Sequence, residues 1–375
     1  MVSVSLGVSL SSYFELLRKL MSSLADVGGF FGNPDTEMLV RWYQVGAFAP
    51  FFRAHAHIDT KRREPYLLDQ PYKGMVKDIL RLRYALLPVW YTAFRETSVT
   101  GVPILRYVLV LATLFFVAYE NLSPQFIMFP KDPKGFEIDD QYYIGNSGLL
   151  VKPVTTKGAN EATVYLAEDQ VYYDYFTNYL YKGTAKGKEI TVRAELNQIP
   201  LFIRGGSIVS TRERPRRASS LMKNDPFTVR IALNKAQTAK GDLYLDDGET
   251  FKHLRGNFVW REFVAEKLTK KLLKISNKDL GKIKPMEAVD NMPIRRFNPN
   301  NDFAKSISNV RVEKMVVVGL AGKPSSIRVE DGEELEFEWK EGVASNEKKE
   351  GSPSVLTIRD PKVLVAKEWN VLVYL

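Results

Sequence analysis

No cysteine occurs in the 375 residues. That absence excludes a disulfide framework and any thiolate metal site. A phosphate-binding loop is missing too. Gly205-Gly206 in IRGGSIV has neither GxGxxG nor GxxxxGK[ST] spacing, and reads as a bulge or tight bend between strands. The most apolar run, Tyr107–Tyr119, falls short of the ~18 to 20 residues that span a bilayer, and Arg106 and Glu120 bracket it. The first residues, MVSVSLGVSLSSYFELLRKL, lack the basic start of a signal peptide and acquire charge at Glu15, Arg18 and Lys19. No internal repeat is visible. The one glycosylation sequon is Asn121-Leu122-Ser123.

What is present describes a globular chain. Hydrophobic residues make up 45% and aromatics 12%, enough for two or three domains with sizeable cores and against disorder. The net charge is +9, which alone admits a nucleic-acid or anionic partner. The basic residues are dispersed among carboxylates, however. Their densest cluster, Arg212, Arg214, Arg216 and Arg217 in TRERPRRASS, is broken by Pro215 and carries no interleaved aromatics. It reads as a solvated loop, and no nucleic-acid partner is expected.

Helical periodicity marks residues 10–24, and a Gly-Gly turn follows over Asp26–Phe31. Asn33 is placed to N-cap a helix through MLVRWYQVG, with Pro34 at its first position. The chain reads extended from Phe51 to Arg53. A long helix is expected from Tyr72 to Thr97, burying Met75, Ile79, Leu82, Leu86, Trp90 and Phe94. From Met128 onward short β-rich runs alternate with turns, as in an antiparallel sandwich. A second β-rich unit starts near Asp225, with Asp247-Gly248 as a hairpin turn. The polar segment EWKEGVASNEKKEGSPS reads as a loop.

The candidate site lies between Ala25 and Leu68. Asp26 precedes the Gly-Gly turn, so it is either a turn cap or a carboxylate aimed at a hydroxyl. Phe30 and Phe31 are either core or an apolar face for the C–H side of a sugar ring. His55 and His57 in RAHAH share one side if the segment is a strand. No third or fourth ligand of the right type lies near them, so hydrogen bonding to a ligand hydroxyl suits them better than metal binding. No metal or other cofactor is expected. Asp139-Asp140 and Asp246-Asp247 are adjacent carboxylates that point to opposite sides, and turn chemistry explains them better than catalysis.

ADVGGFFGNPDTEMLVRWYQVGAF, PFFRAHAH and RREPY together resemble the second signature of glycoside hydrolase family 31. IDDQYYIGNSGLLVKPV, IPLFIRGGSIV, RRASSLMKNDP and GDLYLDDGETF resemble its downstream parts in the expected order. The resemblance implies an α/β plus all-β chain: the C-terminal remnant of a (β/α)₈ TIM barrel followed by two antiparallel β-sandwich domains. Residues 1–127 are the barrel part, with unfamiliar segments at 10–24 and 107–127. Residues 128–222 are the proximal sandwich and 223–375 the distal one.

Leu24 stands where the family has a glycine, and Arg106 and Met128-Phe129-Pro130 flank a run foreign to it. The implied activity is retaining hydrolysis of terminal α-linked glucose. It uses two aspartates whose carboxyl groups lie ~5 to 5.5 Å apart. Neither the WxDMNE-type nor the W-x-G-D-type segment that carries them occurs here, so no catalytic residue is expected in this chain. By motif position Asp26, Phe30, Arg53 and His55 bind substrate. An α-glucoside or N-glycan substrate, a regulatory β subunit and the endoplasmic-reticulum lumen are also implied by the resemblance. The competing reading is a non-catalytic carbohydrate- or partner-binding β-sandwich protein.

Overall fold

The computed structural model describes residues 26–102, 104, 128–283, 301–344 and 350–375. The helix expected at 10–24, the run Tyr107–Tyr119 and the Asn121 sequon lie outside the described residues. The chain divides into two compact units. One runs to Arg83 and adds Pro153–Asn160 and Ala194–Ile199; the other holds Tyr84–Lys152, Glu161–Arg193 and Pro200–Leu375.

In the first unit, helix α1 (Thr36–Ala47) buries Leu39, Val40, Tyr43 and Ala47. Asp35, not Asn33, is its N-cap. The Asp35 carboxylate accepts from the Met38 N–H at 2.8 Å, while Asn33 Oδ1 accepts from Lys61 N at 2.8 Å. A cap must sit directly before the first helical residue, and Asn33 is two residues too early. Arg41 fixes the inserted segments to α1. Its guanidinium is buried and donates to the carbonyls of Ala194 (2.7 Å), Gln198 (2.9 Å) and Ala159 (3.0 Å).

The expected long helix is two helices, α2 (Tyr72–Ala85) and α3 (Leu87–Thr100). Leu86 between them has ψ near 0°, and Pro88 sits in the first turn of α3. Proline has no N–H and its ring crowds the preceding turn, so the ladder breaks there. Ile79, Leu86 and Trp90 are buried as expected. Phe94 is exposed, and Val76 takes a core place instead.

The second unit is mostly sheet. Its strands are β1 (Tyr142–Tyr143), β2 (Leu149–Val151), β3 (Glu161–Leu166), β4 (Val171–Asp174), β5 (Leu180–Lys182), β6 (Lys188–Arg193) and β7 (Leu201–Arg204). Then come β8 (Ser207–Thr211), β9 (Phe227–Ala232), β10 (Ala239–Leu245), β11 (Val259–Thr269), β12 (Leu272–Asp279) and β13 (Val312–Val318). The last are β14 (Ser326–Val329), β15 (Phe337–Lys340), β16 (Val343–Ala344), β17 (Gly351–Ser352), β18 (Val355–Arg359) and β19 (Trp369–Tyr374).

Seven strands form one sheet in the order β1-β2-β7-β4-β5-β17-β16, and ten form another in the order β14-β19-β12-β11-β10-β8-β9-β13-β18-β15. Gly205-Gly206 is the tight bend at which the chain passes from one sheet to the other, since β7 belongs to the first and β8 to the second. The larger core gathers on the ten-stranded sheet around Phe227, Val229, Phe263, Ile275, Val317 and Val371. A smaller one holds Tyr143, Leu150, Leu166, Tyr172 and Phe202. Helix α3 lies on β10 and β8.

Two turn expectations need correction. β10 and β11 do pair as a hairpin, closing at Leu245↔Val259, but Asp247-Gly248 is not a two-residue turn. Residues 246–258 make a wide connection with a 3₁₀ turn at Phe251–Arg255. The segment read as a polar loop contains β16 and β17, and Gly351 pairs with Leu180. Each of these strands has only two residues, too few to show the period-2 alternation of a strand.

Candidate functional site

Four of the sequence-derived site residues meet at one place in the first unit. Asp26 and Arg53 pair as an isolated parallel bridge, with Val27 N donating to Arg53 O at 2.8 Å. Their side chains meet as well, Arg53 Nη2 lying 2.7 Å from Asp26 Oδ1. The chain then turns sharply. Gly28 and Gly29 have φ of 95° and 79°, and Gly29 N donates to Asp26 O at 2.7 Å. Positive φ at two successive positions is open to glycine and costly for other residues. The turn throws Phe30 and Phe31 outward beside the His55–His57 segment.

The rings form a cluster. Phe30 and His55 have centroids 5.5 Å apart, Phe30 and His57 5.8 Å, and Phe31 and His57 5.4 Å. Phe31 meets Phe30 edge-on at 4.6 Å and is 74% exposed. His57 N donates to Phe30 O at 2.9 Å, so backbone as well as ring contacts fix the cluster. His55 and His57 lie outside any strand, so the strand alternative for RAHAH does not apply. The Phe30 ring brings them together instead. His57 is tied to Asp59, with Nδ1 3.3 Å from its carboxylate.

Arg63 was not singled out from the sequence. It donates to Gly28 O at 2.9 Å and to Gly29 O, and so clamps the turn from behind. The RREPY string holds the signal, but nothing in it separates Arg63 from Arg62. Arg83 has a similar part at the end of α1. It donates to Ala47 O and Ala49 O at 2.7 Å each and lies over the Phe52 ring at 4.9 Å.

The remaining acidic pairs separate as adjacency suggested. Asp246 accepts from Tyr91 and Tyr244 hydroxyls, while Asp247 accepts from Thr250. Asp140 pairs with Lys152. Among the described residues no group of three His, Asp or Glu side chains is placed to hold a metal ion. The first-unit cluster thus offers aromatic faces, two imidazoles and a carboxylate–guanidinium pair, shared between the Gly28-Gly29 turn and the Arg53–His57 segment. Such a mixture binds a ligand with hydroxyl edges and C–H faces.

Residues 19–93 match the glycosyl hydrolases family 31 TIM-barrel domain, and residues 120–209 match the glycosyl hydrolase family 31 C-terminal domain. Two stretches of the chain thus match family 31 domains. The glucosidase 2 subunit alpha of Schizosaccharomyces pombe is 51% identical over 243 residues, covering 64% of this chain and 24% of the relative. A crystal structure of a glucosidase II alpha subunit superposes with a TM-score of 0.77 at 38% identity, over 93% of this chain and 34% of that one. A heterodimer of the catalytic subunit of ER glucosidase II with the binding domain of its regulatory subunit gives a TM-score of 0.75 at 37% identity, with the same coverage. The chain therefore spans between 24% and 34% of the length of these relatives. The cluster of Asp26, Phe30, Arg53 and His55 falls inside the family 31 barrel segment.

Proposed function

We propose that this chain is the C-terminal part of a retaining α-glucosidase that removes terminal α-linked glucose. The carrying observation is the cluster at the Gly28-Gly29 turn, which joins an aromatic face to hydroxyl-binding groups inside the family 31 barrel segment. In this reading His55 hydrogen-bonds the hydroxyls of the sugar at the cleaved end. Phe30 covers its C–H face and excludes water. Arg53 holds the Asp26 carboxylate beside the turn. The nucleophile and acid/base aspartates come from polypeptide outside this sequence, and the isolated chain does not turn over substrate.

Residues 1–127 supply barrel, 128–222 a proximal sandwich and 223–375 a distal one; the Tyr172–Phe202 cluster falls in the second range and most of the Phe263 cluster in the third, while β8 crosses into the ten-stranded sheet and β16 and β17 into the seven-stranded one. The glucosidase II names of the relatives support an N-glycan substrate and the endoplasmic-reticulum lumen. They also support a glucosidase II β subunit as partner. No described helix is long and apolar enough to cross a membrane.

The test is hydrolysis of 4-nitrophenyl α-D-glucoside. The chain alone gives no turnover. Joined in frame to the upstream barrel of the S. pombe relative, it releases α-glucose as first product, and His55→Ala abolishes this. Turnover by the chain alone, or a folded chimera that neither binds nor cleaves the glucoside, overturns the reading.

A further inference from the structure

β8 and β9 pair antiparallel from Ser207↔Ala232 to Thr211↔Thr228. Hairpin partners are ordinarily joined by about 2–5 residues. Here residues 212–226 join them. The ladder does not require that length. The excess holds the basic stretch Arg212-Glu213-Arg214-Pro215-Arg216-Arg217-Ala218-Ser219-Ser220, part of which belongs to a family-like string but none of which has a role in the proposed sugar site.

Residues 214–221 are all exposed. Ala218 is extended, with φ −146° and ψ 151°, and leads into a single 3₁₀ turn over Ser219–Met222 that a protease must draw out to bind. Among the described residues, the backbone N–H groups of Arg214, Arg216, Arg217 and Ala218 donate to no other backbone group. A protease binds its substrate as an added strand, and exposed, extended, unpaired backbone is what that mode requires.

The side chains fall in the pattern Arg-Pro-Arg-Arg. Arg217 enters no ion pair among the described residues, so its guanidinium is available to a carboxylate-lined pocket. Arg214 is held by Glu313 at 2.8 Å and Arg216 by Asp225 at 2.5 Å. Both guanidinium groups still face solvent. The sequence has a second basic run, Lys61-Arg62-Arg63, but the structure sets it apart. Arg63 is engaged by the Gly28 and Gly29 carbonyls, and Arg62 by Glu64 and Tyr66.

We propose that this loop is a processing site for a serine endoprotease that reads Arg-x-Arg-Arg, cut between Arg217 and Ala218. The C–N bond of that peptide breaks. Water supplies a hydroxyl to the Arg217 carbonyl carbon and a proton to the Ala218 nitrogen. The nick leaves the fold in place, because β8 stays paired with β9 and β10, and β9 with β13. Residues 1–217 and 218–375 therefore remain associated. The site is independent of whether the chain belongs to a glycosidase.

The test treats the folded full chain with a catalytic amount of a subtilisin-type endoprotease specific for paired basic residues. The expected product has one new N-terminus, Ala-Ser-Ser-Leu, and two fragments that co-elute until denatured. Arg217→Ala slows the cut by about a hundredfold or more, since a pocket built to pair a cation rejects a side chain lacking it. Arg217 is exposed, so a circular dichroism melt shows this variant folded like the parent. Asp225→Asn and Glu313→Gln release Arg216 and Arg214 and each speed the cut by about two- to fivefold, as loss of a partly exposed ion pair permits. A folded chain that resists the protease, is cut first elsewhere, or is cut at Arg217 only after denaturation overturns the proposal.

Discussion

Arg53 grips the Asp26 carboxylate at 2.7 Å while the backbones of the same two residues pair as a parallel bridge. The contact is thus made twice, once by side chains and once by main chain. The side chains are 48% and 26% exposed, so water screens the ion pair. Arg53→Ala is expected to lower stability by less than ~1 kcal/mol, the range of such pairs. The backbone bridge survives, but the Asp26 carboxylate loses its anchor. In the catalytically complete chimera the variant is expected to lose at least about tenfold in glucose-analogue affinity, the equivalent of one hydrogen bond to a charged group. Urea melts beside calorimetric titration check both halves. A large shift in midpoint with unchanged affinity contradicts the assignment.

Gly46 sits in α1 against Val27, the residue after Asp26. A Cβ there would lie 2.5 Å from Val27 Cγ2 and 2.9 Å from the Phe52 ring. Gly46→Ala gains helix propensity but overpacks this contact. The expected net cost is about 1–3 kcal/mol, as for other inserted methyl groups in tight cores. Val27 must move, and Asp26 is its neighbour, so the Phe30–His55 contact shifts too. Loss of nuclear Overhauser contacts between those two rings, measured beside a urea melt, tests the coupling. A variant more stable than the parent shows that the site accommodates the methyl group.

The grouping of the named side chains was more legible than the element boundaries around them. Asp26, Phe30, Arg53 and His55 were marked by a signature longer than any single turn, and they meet in one cluster. What failed were boundaries set by small local competitions. Asp35 outranked Asn33 because capping depends on position by a single residue. Pro88 split a pattern whose apolar spacing ran on past it. The strands β16 and β17 escaped because two residues are too few to show the alternation that betrays a strand. Arg63 and Arg41 escaped for another reason. An arginine that clamps carbonyls from distant segments leaves no local pattern, since its partners are main-chain atoms present at every residue.

Arg41 permits a sharp stability test. Its partners lie on residues 159, 194 and 198, far from it in sequence, and it also meets Gln44 Oε1 at 3.1 Å. Removing the guanidinium strands several buried carbonyls. Arg41→Met, which keeps the apolar volume, is expected to cost on the order of 3 kcal/mol, because each stranded group forfeits about 1–3 kcal/mol. Arg41→Lys recovers part of this, since an ammonium has three donors but not the planar fork. Hydrogen exchange of the α1 amides reads the change. Equal protection in the parent and Arg41→Met shows that the carbonyls find other donors.

Asp247 sets an acid-sensitive turn at the far end of β10. Its carboxylate accepts from Thr250 Oγ1 (2.5 Å), Thr250 N (2.9 Å) and Glu249 N (3.1 Å). The Thr250 hydroxyl, then these backbone groups, favour the charged form and hold its pKa down from 3.8 to about 2. A depressed carboxylate stabilises the folded state fully above its unfolded pKa, and that stabilisation fades as pH falls through the folded one. The parent is therefore more stable than Asp247→Ala above about pH 4, and the gap closes as pH falls from 4 towards 2. Asp247→Asn retains an oxygen for the Glu249 and Thr250 N–H groups but cannot titrate, so it keeps part of the stability without this pH slope. Urea midpoints of the three proteins between pH 2 and 6 distinguish the cases. A parent-to-alanine gap that stays constant across the window shows that the turn is held by its backbone alone.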